Sequence, residues 1–123
     1  MSKDCPFCSG KVRFFMEEGS AAALYDVFPV NQGHVLIVPK AHRRTLFDCT
    51  EEEVCDIWRL VQKVKTHLDE QYKPDGYNVG VNIEEVAGQT VFHCHVHVIP
   101  RYKGDCEEPR GGVRAVKPAL VDY

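Results

Sequence analysis

The chain has 123 residues, a hydrophobic fraction of 44% and a formal net charge of -3. This length fits one globular domain, residues 1–123, and leaves no room for a second hydrophobic core. Lysine and arginine are scattered along the chain, so no basic surface that would attract nucleic acid or an anionic membrane is expected. The first residues lack the apolar stretch of a signal peptide, and no apolar run is long enough for a membrane span. We therefore expect a cytoplasmic protein.

The chain contains six cysteines, and the expected location indicates their chemical state. A reducing cytosol favours free thiols or metal ligands over disulfides. Two of them, Cys5 and Cys8, lie in an N-terminal arm, residues 1–15, and have the spacing of metal ligands. The other four are isolated and are expected to be ordinary thiols: Cys49, Cys55, Cys94 and Cys106.

The next segment predicts a β-hairpin. Two apolar, partly β-branched runs, 22–28 and 34–38, are separated by turn-forming residues at 29–33. A long amphipathic helix should follow, beginning at Thr50 and ending near Tyr72. Its start is marked by a capping box, in which Thr50 and a glutamate three residues later satisfy each other's backbone amides.

Apolar residues recur along this helix at spacings of three and four, which predicts one buried stripe. The stripe consists of Val54, Ile57, Trp58, Val61, Val64 and Leu68. The residues expected to face solvent are Lys63, Lys65 and Asp69.

Two more strands are predicted, at 77–83 and 91–99, with a polar loop at 84–90 between them and Pro100 ending the second. The tail, residues 103–123, has no clear periodicity and is expected to extend over the surface or onto a partner subunit. A hairpin, one long helix and two further strands indicate an α+β domain. Its mostly antiparallel sheet should pack one face against the helix.

Three histidines alternate in the second of these strands: His93, His95 and His97. Successive side chains of a strand point to opposite faces, so the three imidazoles should project from one side, spaced about 6.5 to 7 Å apart. Imidazoles can divide the roles of nucleophile, proton donor and phosphate partner. The spacing leaves two other interpretations open: polar residues on a solvent-facing sheet, and a zinc site formed by the triplet itself.

The segment from His93 to Ile99 resembles the signature of the histidine triad (HIT) family, in which His-x-His-x-His is followed by two apolar residues. Residues 31–42, Asn82 and residues 87–90 also resemble this family, in order and with ordinary spacing. The resemblance implies a HIT-like α+β fold, with a five-stranded sheet packed against one long helix, plus a short N-terminal helix. It also implies a twofold homodimer.

The resemblance assigns roles to single residues. His95 matches the nucleophile that attacks the α-phosphate of a nucleotide, forming a nucleotidyl-enzyme that water hydrolyses. His97 matches a residue that positions the phosphate or handles the leaving-group proton. The other matches are Asp26 for the ribose hydroxyls, Asn82 near the ribose and phosphate, and Gln89 and Thr90 for the phosphate or leaving group. Such residues on their own are more often caps or turn residues.

The sequence Cys5-Pro6-Phe7-Cys8 is a weak metal signal by itself, because structural zinc needs four ligands. Microbial proteins that begin this way resemble a zinc-containing subset of the family. By that resemblance the ligands would be Cys5, Cys8, His42 and His93. Zinc would then staple the arm to the sheet and leave His95 and His97 for catalysis.

The leading interpretation is a nucleotide hydrolase that cleaves dinucleoside polyphosphates or nucleoside phosphoramidates at the α-phosphate. A nucleotidyl transferase or phosphorylase would use the same nucleophile with another acceptor, and the sequence does not separate them. A non-catalytic nucleotide-binding or zinc-binding regulatory module is the alternative from a different class. The intact His95 favours an enzyme, because a binding module has no need of a nucleophile there.

Overall fold

The computed structural model describes residues 4–117, in which five strands and one long helix form an α+β fold. The strands are β1 (Met16–Glu18), β2 (Ala21–Tyr25), β3 (Val35–Pro39), β4 (Gly76–Val81) and β5 (Val96–Arg101), and the helix is α1 (Glu51–Tyr72). The strands form a sheet in the order β1-β2-β3-β5-β4, and every neighbouring pair is antiparallel. The predicted fold class is confirmed, and the predicted hairpin corresponds to β2 and β3.

Helix α1 begins where the capping box places it. The hydroxyl of Thr50 accepts a hydrogen bond from the Glu53 amide at 3.1 Å, and the Glu53 carboxylate accepts one from the Thr50 amide at 2.7 Å. A cap of this kind stabilises a helix by about 1 kcal/mol. The helix ends at Lys73, which adopts the left-handed conformation with φ of 50°.

The sheet is covered by α1 on one face and by the N-terminal arm on the other, and the site lies on the face of the arm. Alternate residues of β3 point to opposite sides. On one side Val35 and Ile37 pack with the buried face of α1. On the other, Leu36 and Val38 pack beneath the N-terminal arm, whose apolar residues there are Phe7, Val12 and Phe14. The arm therefore shares its face of the sheet with the side chain of His97, since that residue pairs with Leu36 across β3 and β5.

The buried stripe of α1 differs in part from its prediction. Ile57, Val61, Val64 and Leu68 are buried as expected. Val54 and Trp58 are 40% and 56% exposed, so their predicted burial is wrong for the single chain. The fully buried Leu60 shows that the stripe is centred further round the helix.

Strand β5 also differs from its prediction. It begins at Val96 rather than at residue 91, because the Cys94 amide donates to the Arg43 carbonyl at 2.7 Å and this contact draws the preceding segment out of the sheet. Pro100 does not end the strand. It pairs with Tyr77, and β5 continues to Arg101. A proline is tolerated in a strand where its position requires no backbone donor.

The N-terminal arm and the tail of the described chain each form a short turn. No helix occurs in residues 4–45, so the short N-terminal helix implied by the resemblance is not found there. The arm instead turns at Pro6, with the Cys8 amide donating to the Cys5 carbonyl at 3.1 Å. The tail forms a 3-10 turn at Gly112–Arg114 and contacts β4 of its own sheet.

The helices between residues 4 and 117 include none with both the length and the apolar character needed to cross a bilayer.

Candidate functional site

The four predicted metal ligands come together beside the arm: Cys5, Cys8, His42 and His93. One donor atom from each lies within 4.8 Å of the others. The Cys8 sulfur is 3.3 Å from His42 Nδ1 and 3.4 Å from His93 Nδ1, and these two nitrogens are 3.2 Å apart. The arm thus meets the end of the hairpin and the histidine segment at one point.

The proton position on His93 fits a metal ligand. Its Nε2 lies 2.8 Å from the carbonyl oxygen of Pro39, and a carbonyl only accepts, so Nε2 carries the proton. The Nδ1 lone pair then faces the sulfurs. Burial lowers the pKa of His93, which favours the neutral, ligating form. Two thiolates and two imidazoles in a closed set suit Zn²⁺, and a backbone carbonyl behind a ligand histidine is typical of such sites. The cluster can therefore hold a metal ion.

The nucleophile predicted from the sequence lies next to this cluster. His95 Nδ1 is 2.9 Å from the carbonyl oxygen of His93, so Nδ1 carries the proton. The lone pair of the neutral ring is therefore on Nε2. The ring is only 9% exposed, yet it lines a cavity of about 440 Å³. A nearly buried imidazole with its lone pair free is what a histidine nucleophile requires.

His97 is the member of the triplet that lies on β5; His93 and His95 precede the strand. The prediction that all three rings project from one strand face is therefore wrong. The rings of His95 and His97 are 5.2 Å apart, whereas His93 turns toward the cysteines. Within residues 4–117 the three histidines do not form a group of donor atoms close enough to share an ion, which argues against zinc held by the triplet.

A fourth histidine, His34, fixes the proton on His97. The Val30 amide donates to His34 Nδ1 at 3.0 Å, so the proton of the neutral His34 ring is on Nε2. That Nε2 is 2.9 Å from His97 Nδ1 and donates to it. His97 must then carry its own proton on Nε2, from which it can donate a hydrogen bond to a substrate oxygen or leaving group.

The same reasoning excludes a second metal site. The donor atoms of Asp26, His34 and His97 lie within 4.8 Å of one another, as in a three-ligand metal centre. The Val30 amide already occupies His34 Nδ1, so His34 Nε2 is protonated and has no lone pair for an ion. His34 and His97 are instead hydrogen-bonded to each other, with the Asp26 carboxylate 3.5 Å from His34 Nε2.

Burial, together with smaller contributions from the neighbouring rings of His95 and His34, lowers the pKa of His97 to about 4. Burial also lowers the pKa of His34, against the opposing effect of Asp26. Both rings are therefore neutral near pH 7, in agreement with the proton positions assigned from their hydrogen bonds.

The cavity beside His95 is lined by both polar and apolar side chains. Its volume of about 440 Å³ is within the range of small-molecule sites. Asp26, Asn82 and Thr90 line it near the two histidines. The apolar lining includes Phe7, Val12, Leu24, Val27, Phe28 and Leu36. Such a lining can take a phosphate beside the histidines and an apolar ring against the hydrophobic side chains.

Gln89 is placed differently from the other predicted binding residues. It is buried, and its Oε1 accepts a hydrogen bond from the Glu84 amide at 2.8 Å. Its Nε2 donates to the carbonyls of Arg44 at 2.7 Å and Val91 at 3.0 Å. The side chain therefore holds the loop between β4 and β5, and its contact with a phosphate stays a prediction that would require these bonds to rearrange.

Sequence reasoning left His34 unassigned. A single histidine at the start of an apolar strand is more often a core residue than a functional one. The signal that could have identified it is its position two residues before Leu36, the residue that pairs with His97 in the antiparallel register. That register becomes known only when the sheet is assembled.

The family model, related sequences and solved structures that match this chain point to one family. The HIT domain family model matches residues 10–104. An uncharacterized HIT-like protein of Methanocaldococcus jannaschii is 37% identical over 113 residues, which cover 88% of this chain and 87% of that protein. A bis(5'-adenosyl)-triphosphatase of Dictyostelium discoideum is 40% identical over 94 residues, or 76% of this chain and 62% of that protein. The crystal structure of a zinc-bound histidine triad family protein from Mycobacterium smegmatis has a TM-score of 0.76 and 34% identity, covering 85% of this chain and 80% of that one.

Proposed function

The chain belongs to the HIT domain family, and on that premise we propose that it is a nucleotide hydrolase acting at the α-phosphate through a nucleotidyl-histidine on His95. The observation that carries this proposal is the free Nε2 lone pair of His95 at the wall of the cavity. The similar triphosphatase of Dictyostelium discoideum supports the substrate class, dinucleoside polyphosphates. Nucleoside phosphoramidates are the second class, since the same attack on phosphorus would release an amine.

The proposed reaction has two steps. His95 Nε2 attacks the α-phosphorus, and the bond from phosphorus to the leaving group breaks as the nitrogen–phosphorus bond forms. The neutral His97 ring keeps its proton and donates a hydrogen bond from Nε2 to a phosphate oxygen or to the leaving group, with His34 holding the opposite nitrogen of that ring. A nucleoside diphosphate leaves as the anion, and an amine takes its proton from solvent. Water then attacks phosphorus, breaks the nitrogen–phosphorus bond and releases a nucleoside monophosphate and a proton. Holding the reacting groups in place supplies much of the rate enhancement.

Three polar residues that line the cavity would bind the rest of the nucleotide. Asp26 would accept hydrogen bonds from the ribose hydroxyls, although its Oδ1 already accepts the Phe28 amide at 2.9 Å and its Oδ2 lies 3.5 Å from His34 Nε2. These contacts hold the carboxylate in place, and a carboxylate oxygen can accept a further hydrogen bond from the ligand. Asn82 and Thr90 are exposed at the cavity and would donate to the phosphate oxygens.

The Cys/His cluster, defined as Cys5, Cys8, His42 and His93, would hold a structural zinc ion. Its closed set of four ligands leaves no position for a reacting water, so zinc would supply stability and no catalytic chemistry. The zinc-bound similar structure from Mycobacterium smegmatis supports this choice of metal. Bound zinc would tie the arm to the sheet beside His95.

We also propose that the protein is a cytoplasmic homodimer. No disulfide joins the cysteines of residues 4–117, which suits a reducing compartment. A second copy could cover the exposed edge of β4 and the apolar residues that α1 leaves exposed.

Turnover assays test the proposed activity. The wild-type protein should hydrolyse diadenosine triphosphate or adenosine 5'-phosphoramidate to AMP. His95→Ala should lose several orders of magnitude in rate and still bind AMP. His67→Ala removes a histidine of α1 that does not itself line the cavity and reaches its lining only through the Tyr25 hydroxyl, 3.3 Å from His67 Nε2, so it should keep close to the wild-type rate. A folded wild-type protein that cleaves neither substrate class would contradict the proposal.

A further inference from the structure

Phe7 connects the Cys/His cluster to the nucleophile. Its ring centroid is 5.4 Å from that of His93, with an interplanar angle of 86°. It is also 5.5 Å from that of His95, at 62°. Both contacts have the edge-to-face geometry that aromatic pairs favour. One side chain thus touches both a ligand of the cluster and the histidine that attacks phosphorus.

The position of Phe7 is determined by the residues around it. It lies between Cys5 and Cys8, whose turn is closed by the 3.1 Å hydrogen bond from the Cys8 amide to the Cys5 carbonyl. The ring of Pro6, the residue directly before Phe7, fixes the backbone φ of Pro6 itself. If both cysteines ligate one ion, the backbone on either side of Phe7 is held. The direction of its ring then depends on the cluster.

The ring of His95 needs restraint in a second direction. The hydrogen bond from Nδ1 to the His93 carbonyl fixes one edge of the imidazole but permits rotation of the ring plane about that bond. The edge-to-face contact with Phe7 restricts this rotation. The plane determines where the Nε2 lone pair points, and attack on phosphorus requires that direction to be held within narrow limits.

We propose that Phe7 is a positioning residue for His95, through which the occupied Cys/His cluster acts on the rate of nucleotidyl transfer to His95. This inference rests on the proposed function. The metal takes no part in the chemistry. Its effect is to keep Phe7 against the nucleophile, and loss of the metal releases that contact.

The chain offers a matched control. Phe14 also belongs to the arm and packs on the same apolar cluster of β2 and β3, but it does not line the cavity or contact a histidine ring. Phe7→Leu and Phe14→Leu therefore remove equivalent rings from the arm. Phe7→Tyr keeps the ring and serves as the conservative variant.

The test compares these variants with metal bound and after chelation below the unfolding temperature. The readouts are metal content, the single-turnover rate of nucleotidyl-His95 formation, AMP affinity and the NMR resonances of the His95 ring. Phe7→Leu should keep its metal and react about tenfold more slowly, with a smaller change in AMP affinity. Phe14→Leu and Phe7→Tyr should react at the wild-type rate.

Chelation supplies the decisive comparison. Chelation should slow nucleotidyl-His95 formation in wild type about tenfold, the same factor as Phe7→Leu, and should shift the His95 resonances. In Phe7→Leu, chelation should change the rate and the His95 resonances little further. The proposal would be overturned if chelation slowed Phe7→Leu by the same factor as wild type, so that the two rate losses multiplied. It would also be overturned if Phe7→Leu reacted as fast as Phe14→Leu. A wild-type protein that forms no intermediate would instead defeat the proposed function, and the resonance shift on chelation would still test the Phe7 contact.

Discussion

The carbonyl oxygen of His93 accepts a hydrogen bond from Nδ1 of His95 at 2.9 Å. One residue therefore offers its side chain to the Cys/His cluster and its backbone to the nucleophile. This arrangement is possible because the segment leaves the sheet before β5 begins. A regular strand would commit the His93 carbonyl to a neighbouring strand, and the His95 proton would then have no fixed position.

The hydrogen bond from His34 to His97 gives the first prediction. His34→Leu leaves His97 Nδ1 without its donor, so the ring can adopt the wrong proton position. We expect kcat to fall by about 10–100-fold with a smaller change in KM, as for other residues that orient a reacting histidine. His34→Gln can still donate through its amide and should retain more activity. Equal kcat values for His34→Leu and wild type would contradict this role.

The Cys/His cluster gives the second prediction. Purified protein should contain about one zinc per chain, measured by elemental analysis. Cys5→Ser and His42→Ala should lower both metal content and melting temperature, because metal affinity contributes to folding stability. Cys106→Ser changes an exposed thiol of the tail and should alter neither. Wild-type protein that is free of metal yet as stable as after zinc addition would refute the zinc site.

Acid stability gives the third prediction. His97 has a folded pKa of about 4 against a reference of 6.5, so the unfolded chain binds a proton between these values and the folded chain does not. Stability from this residue is complete above pH 6.5 and declines as the pH falls toward 4.

His97→Asn should therefore lose less stability than wild type between neutral and mildly acidic pH, by on the order of 1–3 kcal/mol. Urea unfolding of both proteins, with chelator present to remove the contribution of the Cys/His cluster, measures this difference. Parallel losses of stability in the two proteins would show that His97 titrates normally in the fold.

Assembly gives the fourth prediction. Trp58 is 56% exposed on α1, and β4 is an edge strand of the sheet. Light scattering should give the mass of two chains at micromolar concentration. Trp58→Lys should shift the protein toward one chain if α1 contributes to the interface. A wild-type mass of one chain across this concentration range would rule out the homodimer.

The sequence was most informative where local rules decide the structure. The capping box at Thr50 predicted the start of α1, because its hydrogen bonds are made within four residues. The burial of Val54 and Trp58 was predicted wrongly, because both lie at the margin of the helical stripe. Periodicity does not indicate how far the covered surface extends around a helix.

The site was harder to predict where distant segments determine the geometry. Alternation of histidines predicted a strand through His95, but the bond from the Cys94 amide to the Arg43 carbonyl replaces the sheet pairing there. Only the family resemblance predicted that Cys5 and His93 come together. Cys5 itself lies outside residues 10–104, the segment that the family model matches. No local pattern encodes contacts between residues so far apart in the chain.

The most direct test of the central claim is intact-protein mass spectrometry after rapid mixing with diadenosine triphosphate and acid-free quenching. We predict a transient mass increase of one adenylyl group per chain, which peptide mapping assigns to His95. The increase should be absent in His95→Ala and retained in His67→Ala. Hydrolysis of the substrate with no covalent adduct at any time point, or an adduct on a residue other than His95, would contradict the account.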